Sequence, residues 1–496
     1  WRAVLALSLM VGFYILALGL AALLLYIPYA ELRYAHRLHF QILAPCAVAA
    51  FVIVRSVLPR FDRFEAPGLL LSADTQPELF AVIRELATAT EQPPPKDVFL
   101  VSDMNAFVTQ RGGLMGFGSH RVLGIGLPIL QALSVRELRA VLAHEFGHFH
   151  GGDVQLGPWI YKTRAAIIRT IVSLAQERSI FHKPFLWYGE MFIKITHAIS
   201  RNQELAADAL AARTVGAQAL ISGLKRTHAA ALAYNVYWQE DMLPALGSGW
   251  RPPLAAGFAQ FLGAKRAQRL MDESVAHELD SGKADPYDTH PSLRERVQAL
   301  ESMRDRVAHD SDDERAAVSL LADLAAIEKL LVEHMAADKS EAARLKPIAW
   351  TDVPASIHVP NWRAMVGRLA PQFAGHSLLQ LPAAREFRVQ LGRSVAGEHG
   401  NQLDDDTLLR LGAARIAGVV VLGLVELGYV LDCAPGEAVT LSRNGASVQP
   451  FAILLDDSKS DQAIDDLRAA CAAAGVGDLD LGAIAARAQA AAPASA

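Results

Sequence analysis

Histidines at positions 144 and 148, with a glutamate at 145, stand in the run AVLAHEFGHFHGGD, residues 140–153. On a helix, residues four apart lie one above the other, so His144 and His148 share a face and can meet one metal ion. A neutral imidazole nitrogen is a good zinc ligand. Glu145 is turned about 100° around the helix from His144. It is better placed to hold a water beside the metal than to ligate the metal. Zinc acidifies such a water, and the carboxylate can take its proton during attack on a peptide carbonyl. The same pattern also fits a plain helix with surface histidines. His150 is six residues from His144 and faces elsewhere.

A catalytic zinc usually has three protein ligands and one open position. One arrangement places a further histidine six residues after the second, but that position here is Val154. Another takes a glutamate from a later helix. The run SRNQELAADALAARTVG (200–216) carries Glu204 and Asp208 four apart on an otherwise Ala- and Leu-rich face. A salt bridge with Arg201 or Arg213 would account for that acidic pair. So would Glu204 as third ligand, with Asp208 accepting from a ligand histidine and fixing its ring. A third cluster, DTHPSLRERV (288–297), combines His290, Pro291 and Arg296 ahead of a helix that Ser292 could cap. It reads as a turn and helix start, or as a histidine at the mouth of a site donating to a developing oxyanion.

These side chains need elements to hold them. Ser134 and Glu137 form a capping-box pattern, and Gly151 with Gly152 suits the far end, which predicts a helix over 134–151. Residues 74–95 read as a helix ended by Pro93–Pro95, and KDVFLVSD (96–103) as a strand. NAFVTQRGGLMGFGSH has the glycines of a loop, and RVLGIGL (121–127) suits a strand. At a sheet edge RVLGIGL could pair with an extended peptide. An ordinary buried strand is the simpler reading.

Residues 3–27 contain no charge and are long enough to cross a bilayer as a helix; PYAE after them makes a poor signal-peptide cleavage site. A second apolar run, 42–58, has Arg55 near its end, where the side chain can reach the interface. Arg2, Arg55, Arg60 and Arg63 flank the two spans on one side, against Arg33, Arg37 and Glu31 between them. The balance leans toward both ends in the cytoplasm.

Composition agrees. The 496 residues are 52% hydrophobic with a formal charge of -5, and the mean hydropathy is +0.21. No basic stripe interleaves with aromatics, which argues against a nucleic-acid partner. Cys46, Cys433 and Cys471 are far apart and form no disulfide framework, which suits a reducing compartment.

HExxH, then ELAAD about 55 residues later, then the HP motif resembles the CAAX prenyl endopeptidase and HtpX-like heat-shock family of membrane zinc peptidases. The run from Asn105, NAFVTQ, through GIGLPILQALSVRELRAVLAHEFGHFHGGD is similar to the family's approach to its zinc helix. The resemblance covers about residues 70–300. It implies a mainly α, gluzincin-type endopeptidase domain with a small β-sheet, holding one zinc per chain on His144, His148 and Glu204. Glu145 would be the general base and His290 a catalytic partner, with Asp208, Arg296 and Asn105 in support. Family members often have further spans between the zinc helix and the glutamate helix. Here that region holds IYKTRAAIIRTIVSLAQER and PFLWYGEMFIKITHAIS, whose charges suggest amphipathic helices lying on the bilayer or packed against the protein.

The domain plan expected is a membrane anchor of two helices over 1–60, a peptidase domain over 68–305 and a helical linker over 306–384. A small α/β module over 385–485 and a disordered tail over 486–496 follow. In the module, EAVTLSRNGASVQPFAILLDD suggests two strands about an Asn444-Gly445 turn, and 416–431 a buried apolar element. The function expected is hydrolysis of misfolded or membrane-associated polypeptides at a bacterial cytoplasmic membrane, with the catalytic domain on the cytoplasmic side. The alternative is a non-catalytic zinc-containing scaffold that works through its C-terminal module. The intact Glu145 argues against it, since structural zinc needs no base.

Overall fold

An uncharged apolar stretch can satisfy its backbone in hydrocarbon only as a helix or a closed barrel. Arg2–Ala30 forms one helix, α1, and Phe40–Val57 a second, α2. Both are long and apolar enough to cross a membrane. The computed structural model describes residues 2–37, 39–58, 65–111, 120–149, 157–177, 179–281, 291–303, 313–336, 338–456 and 461–491. The protein is mainly helical, and its contacts gather into two compact units, Trp1–Ala231 with Asp272–Met335, and Leu232–Met271 with Ala336–Ala496.

In the first unit, β1 (Leu69–Leu71) and α3 (Pro77–Ala89) follow the anchor, then β2 (Asp97–Val101), β3 (Ala106–Arg111) and β4 (His120–Gly126). The sheet order is β1-β2-β4-β3. β4 runs parallel to β2, with Leu123 opposite Val98, and antiparallel to β3, with Leu123 also opposite Val108. The run RVLGIGL is therefore an inner strand, as its unbroken apolar character requires. The edge belongs to β3, which the sequence reading had assigned to a loop. The glycines at 112–118 mask the strand before them, whose side chains are only partly buried.

α4 (Leu127–Ala132) leads into α5 (Val135–Gly147). The first N–H groups of a helix lack intrahelical partners. Here Val135 and Arg136 donate theirs to the carbonyls of Arg315 and Asp313, so a later stretch of chain closes the start of α5.

α6 (Gly157–Gln176) and α7 (His182–Thr214) do not lie apart on a surface. Phe185, Tyr188 and Phe192 of α7, with Ala166, Ile167 and Leu174 of α6, share one apolar cluster with α1 and α2. Phe13 meets Phe185 edge-on, the Tyr188 hydroxyl donates to the Leu9 carbonyl at 2.5 Å, and Arg169 donates to the Ser56 carbonyl at 3.2 Å. Of the two arrangements expected for these stretches, packing against the protein is the one observed. α7 runs unbroken for 33 residues, from this bundle through Glu204 and Asp208. Behind it, α8 (Ala217–Tyr237) begins.

The second unit is built around the helix Asp405–Glu426. It too has the length and composition of a membrane span, but 72% of its apolar window is buried inside the unit. The helices Val359–Gly367, Arg385–Ala396 and Leu481–Ala490 supply that cover. A Cβ at Gly412 would lie 1.9 Å from the Arg388 carbonyl oxygen, so only glycine lets the Arg385–Ala396 helix come this close. Beside them lies an antiparallel sheet of Val430–Asp432, Thr440–Arg443 and Ala446–Val448. Asn444 and Gly445 make its tight turn, both with positive φ. Residues of the expected 306–384 stretch enter the same core: Val366, Leu369 and Phe373 pack with Ile416 and Val420. Tyr237, Phe258, Phe261 and Trp350 form an aromatic group in this unit, and the Trp350 indole donates to the Pro253 carbonyl.

Candidate metal centre

The start of α5 is fixed by its capping box. Ser134 accepts from the Glu137 N–H at 3.3 Å, and the Glu137 carboxylate accepts from the Ser134 N–H at 2.9 Å. That carboxylate is buried and also takes the Ser222 hydroxyl and the Arg226 guanidinium of α8. Leu138, Leu142 and Phe146 bury the helix. Its far end is held by Arg121 of β4, whose guanidinium sits 4.5 Å over the Phe149 ring.

His144 and His148 emerge on one face, ring centroids 4.7 Å apart. Donor atoms of His144, Glu145 and His148 all lie within 4.8 Å of one another. Across the gap stands α7. A Cβ on Gly147 would lie 2.8 Å from the Ala207 Cα, so the missing side chain lets the two helices close at this level. Glu204 is thereby brought to both histidines, with its oxygens 3.4 Å from His144 Nε2 and 3.6 Å from His148 Nε2. The other ring nitrogen of His144, Nδ1, is 2.9 Å from Asp208 Oδ1.

Arg296, on the helix Leu293–Glu301, closes the back of the site. It grips Asp208 with two donors, Nε to Oδ2 at 2.9 Å and Nη2 to Oδ1 at 2.6 Å. Its Nη1 lies 3.8 Å from Glu204. Glu145 receives the backbone N–H of Val108, which sets the edge strand β3 beside the histidines.

Burial dominates the electrostatics. It pushes the Glu145 carboxyl up to about 7, against the pull of His144. Burial alone would lower the His144 imidazolium, but the hydrogen bonds it donates to Asp208 and Glu204 together outweigh it and hold the pKa up at about 9. Burial would raise Asp208, and here His144 and Arg296 outweigh it and keep the carboxylate below its ordinary value. The acids beside His144 thus favour its protonated form, against the nearby Arg296 guanidinium.

The donor set fits zinc. Donors of a tetrahedral ion bound at about 2.0–2.1 Å stand roughly 3.3–3.4 Å apart. Glu204 meets the two Nε2 atoms at close to that separation. His144, His148 and Glu204 could hold the ion, with Glu145 beside it.

Not every residue singled out from the sequence joins this group. His290 and His150 lie outside the described residues. Asn105 is exposed at the entry to β3; its backbone carbonyl accepts from Gly126, and its side chain makes no hydrogen bond to the cluster among the described residues. One pair escaped the sequence reading. Arg201 of α7 grips Glu295, the residue beside Arg296, across 94 positions of chain. Glu295 looked like an ordinary surface charge, and Arg201 like a partner for Glu204 and Asp208, where Asp208 instead takes Arg296.

Two histidines and a glutamate on one helix, faced by a carboxylate from another, have the make-up of a metallopeptidase site. Residues 73–304 match the model of Peptidase family M48. That stretch is just under half of the chain, and two helices able to cross a membrane precede it. It is similar to a protein named Protease HtpX homolog from Burkholderia thailandensis, 28% identical over 244 residues, which are 46% of this chain and 75% of the relative. It is equally similar to proteins of that name from Burkholderia mallei and Burkholderia pseudomallei, 28% identical over 229 residues, 43% of this chain and 77% of each relative. No solved structure matches it.

Proposed function

We propose that the protein is a membrane-anchored, zinc-dependent endopeptidase that cuts misfolded or membrane-associated polypeptides. The approach of one Glu204 carboxylate to Nε2 of both His144 and His148 carries this reading. It turns a two-histidine helix into a three-donor set. Zinc held there supplies Lewis acidity, which polarises the peptide carbonyl and makes water acidic near neutral pH. Glu145, beside the histidines and raised toward neutrality by burial, takes the proton of the attacking water and passes it to the leaving amine. Asp208 orients His144, and Arg296 holds Asp208. An extended substrate pairs along the outer side of β3, the strand whose Val108 touches Glu145. His290 is assigned to stabilising the oxyanion. Arg2 begins α1, and Arg55 lies in the last turn of α2, from which the chain continues to the peptidase domain; with two spans these ends share a side, which favours a cytoplasmic position for the domain.

The test is cleavage of an unfolded model protein by the detergent-solubilised, zinc-loaded enzyme beside its Glu145→Gln variant. Cleavage by the parent, and its loss in the variant with zinc still bound, supports the reading. Equal activity in both removes Glu145 as the base. Inactivity of both, with zinc bound, favours the scaffold alternative.

A further inference from the structure

The helix Leu293–Glu301 meets α7 through two ion pairs of opposite sense. Glu295 lies against Arg201, whose Nη2 reaches both carboxylate oxygens at 2.5 and 2.6 Å. Arg296, the next residue, lies against Asp208. The two anchor points on α7 are seven residues apart, two helical turns, and so share a face. Glu295 has a second duty. It closes the capping box of its own helix, accepting from the Ser292 N–H at 3.0 Å while Ser292 accepts from the Glu295 N–H. One carboxylate thus fixes both where this helix begins and where it sits on α7.

We propose that Arg201 and Glu295 are positioning residues for the metal centre, acting as a register key. Sliding the helix one turn toward the end of α7 would set Glu295 against Glu204, carboxylate to carboxylate. The observed register gives each charge an opposite partner. Arg296 is carried by that register to Asp208, and Asp208 sets the ring of His144. The pair is half-exposed, so its direct part in stability is small. Its effect falls on the alignment of Asp208 and His144. The inference rests on the ligand reading above.

The experiment measures zinc affinity by chelator competition on the full chain in detergent, for Arg201→Met, Glu295→Gln, the double variant and Arg201→Lys. Outer partners of metal ligands typically change affinity ten- to a hundredfold; one contact further out, each single substitution is expected to weaken zinc binding about three- to tenfold. The double variant should be no worse than the worse single, because the two act as a unit. Arg201→Lys, which keeps the charge, should recover part of the loss. Glu295→Gln keeps a capping box and carries the test where Arg201→Met does not fold. Metal-free melting of the folded variants should stay within about two degrees of the parent, which separates positioning from general loosening. Single variants with parental zinc affinity, or losses that add in the double, overturn the proposal. A Glu204→Gln control is kept alongside. If it binds zinc as the parent does, the ligand reading itself has failed; if it loses zinc while Arg201 and Glu295 variants do not, only the register key has.

Discussion

Nδ1 of His144 lies 2.9 Å from Oδ1 of Asp208, while Nε2 of the same ring faces Glu204 at 3.4 Å. The two acids stand one turn apart on α7 and hold the imidazole from opposite sides. In the proposed zinc site, Asp208 would decide which nitrogen is offered to the metal.

Replacing Asp208 by Asn should test that role. The substitution keeps the shape and removes the charge that orients His144 and pairs with Arg296. Zinc affinity should fall about ten- to a hundredfold. Arg296 would be left nearly buried without its partner, at a cost on the order of 3 kcal/mol. Chelator competition and denaturant unfolding read the two effects separately. Parental zinc affinity in this variant would refute the orienting role.

The proton on His144 gives zinc uptake a pH dependence. In the metal-free protein the imidazolium is held up at about 9 from an ordinary 6.5. Its stabilising contribution is then complete below 6.5 and is lost as pH rises through 9. Zinc must displace that proton, so below pH 9 the zinc dissociation constant should rise about tenfold for each unit the pH falls. Zinc titrations between about pH 6 and 8 measure the slope. A flat profile would show that His144 enters the metal site already neutral.

Val108 supplies a check on the base. Its N–H donates to Glu145 and favours the carboxylate. Val108→Pro removes that donor on an edge strand, where proline is tolerated. The Glu145 pKa should rise, and activity should fall on the acid side of the profile while zinc stays bound. An acid limb that does not move would show that the contact is incidental to catalysis.

Gly147 is a point of close approach between α5 and α7. Gly147→Val places atoms where the Ala207 backbone stands, 2.8 Å from even the first added carbon. The strain should cost about 1–3 kcal/mol. Because the helices that carry His144 and Glu204 are the ones forced apart, zinc affinity should fall with it. A variant that loses stability and keeps zinc affinity would show that the site relaxes independently of helix spacing.

Much of the fold was legible because local chemistry agrees with the final structure. The zinc helix announces itself through Ser134 and Glu137, whose capping box forms as the spacing requires. Glu204 and Asp208 were visible because an acidic pair is out of place among alanines and leucines. Other features have no local signature. β3 becomes a strand only by pairing with β4, and the glycines after it point the other way. The continuity of α7 was hidden by Lys183, Glu190 and Lys194, charges in a segment that nonetheless buries Phe185 and Phe192 against the anchor. The Arg201–Glu295 pair spans 94 residues and has no meaning until two helices meet. Likewise Tyr237 and Trp350 lie in one aromatic group that no stretch of sequence marks.

The unbroken course of α7 makes it a ruler. Among the described residues Phe192 is the last fully buried α7 residue of the apolar bundle, with Ile195 packed against it, and Glu204 lies twelve residues beyond Phe192 on the same helix. At 1.5 Å per residue the carboxylate stands about 18 Å along the axis from that anchor, with no hinge between. The height of the metal centre above the bilayer is then a property of the chain and not of a linker. For the endopeptidase proposed above, a polypeptide would be cut only where its scissile bond reaches that height, so distance from the membrane would join side-chain identity as a determinant of selection.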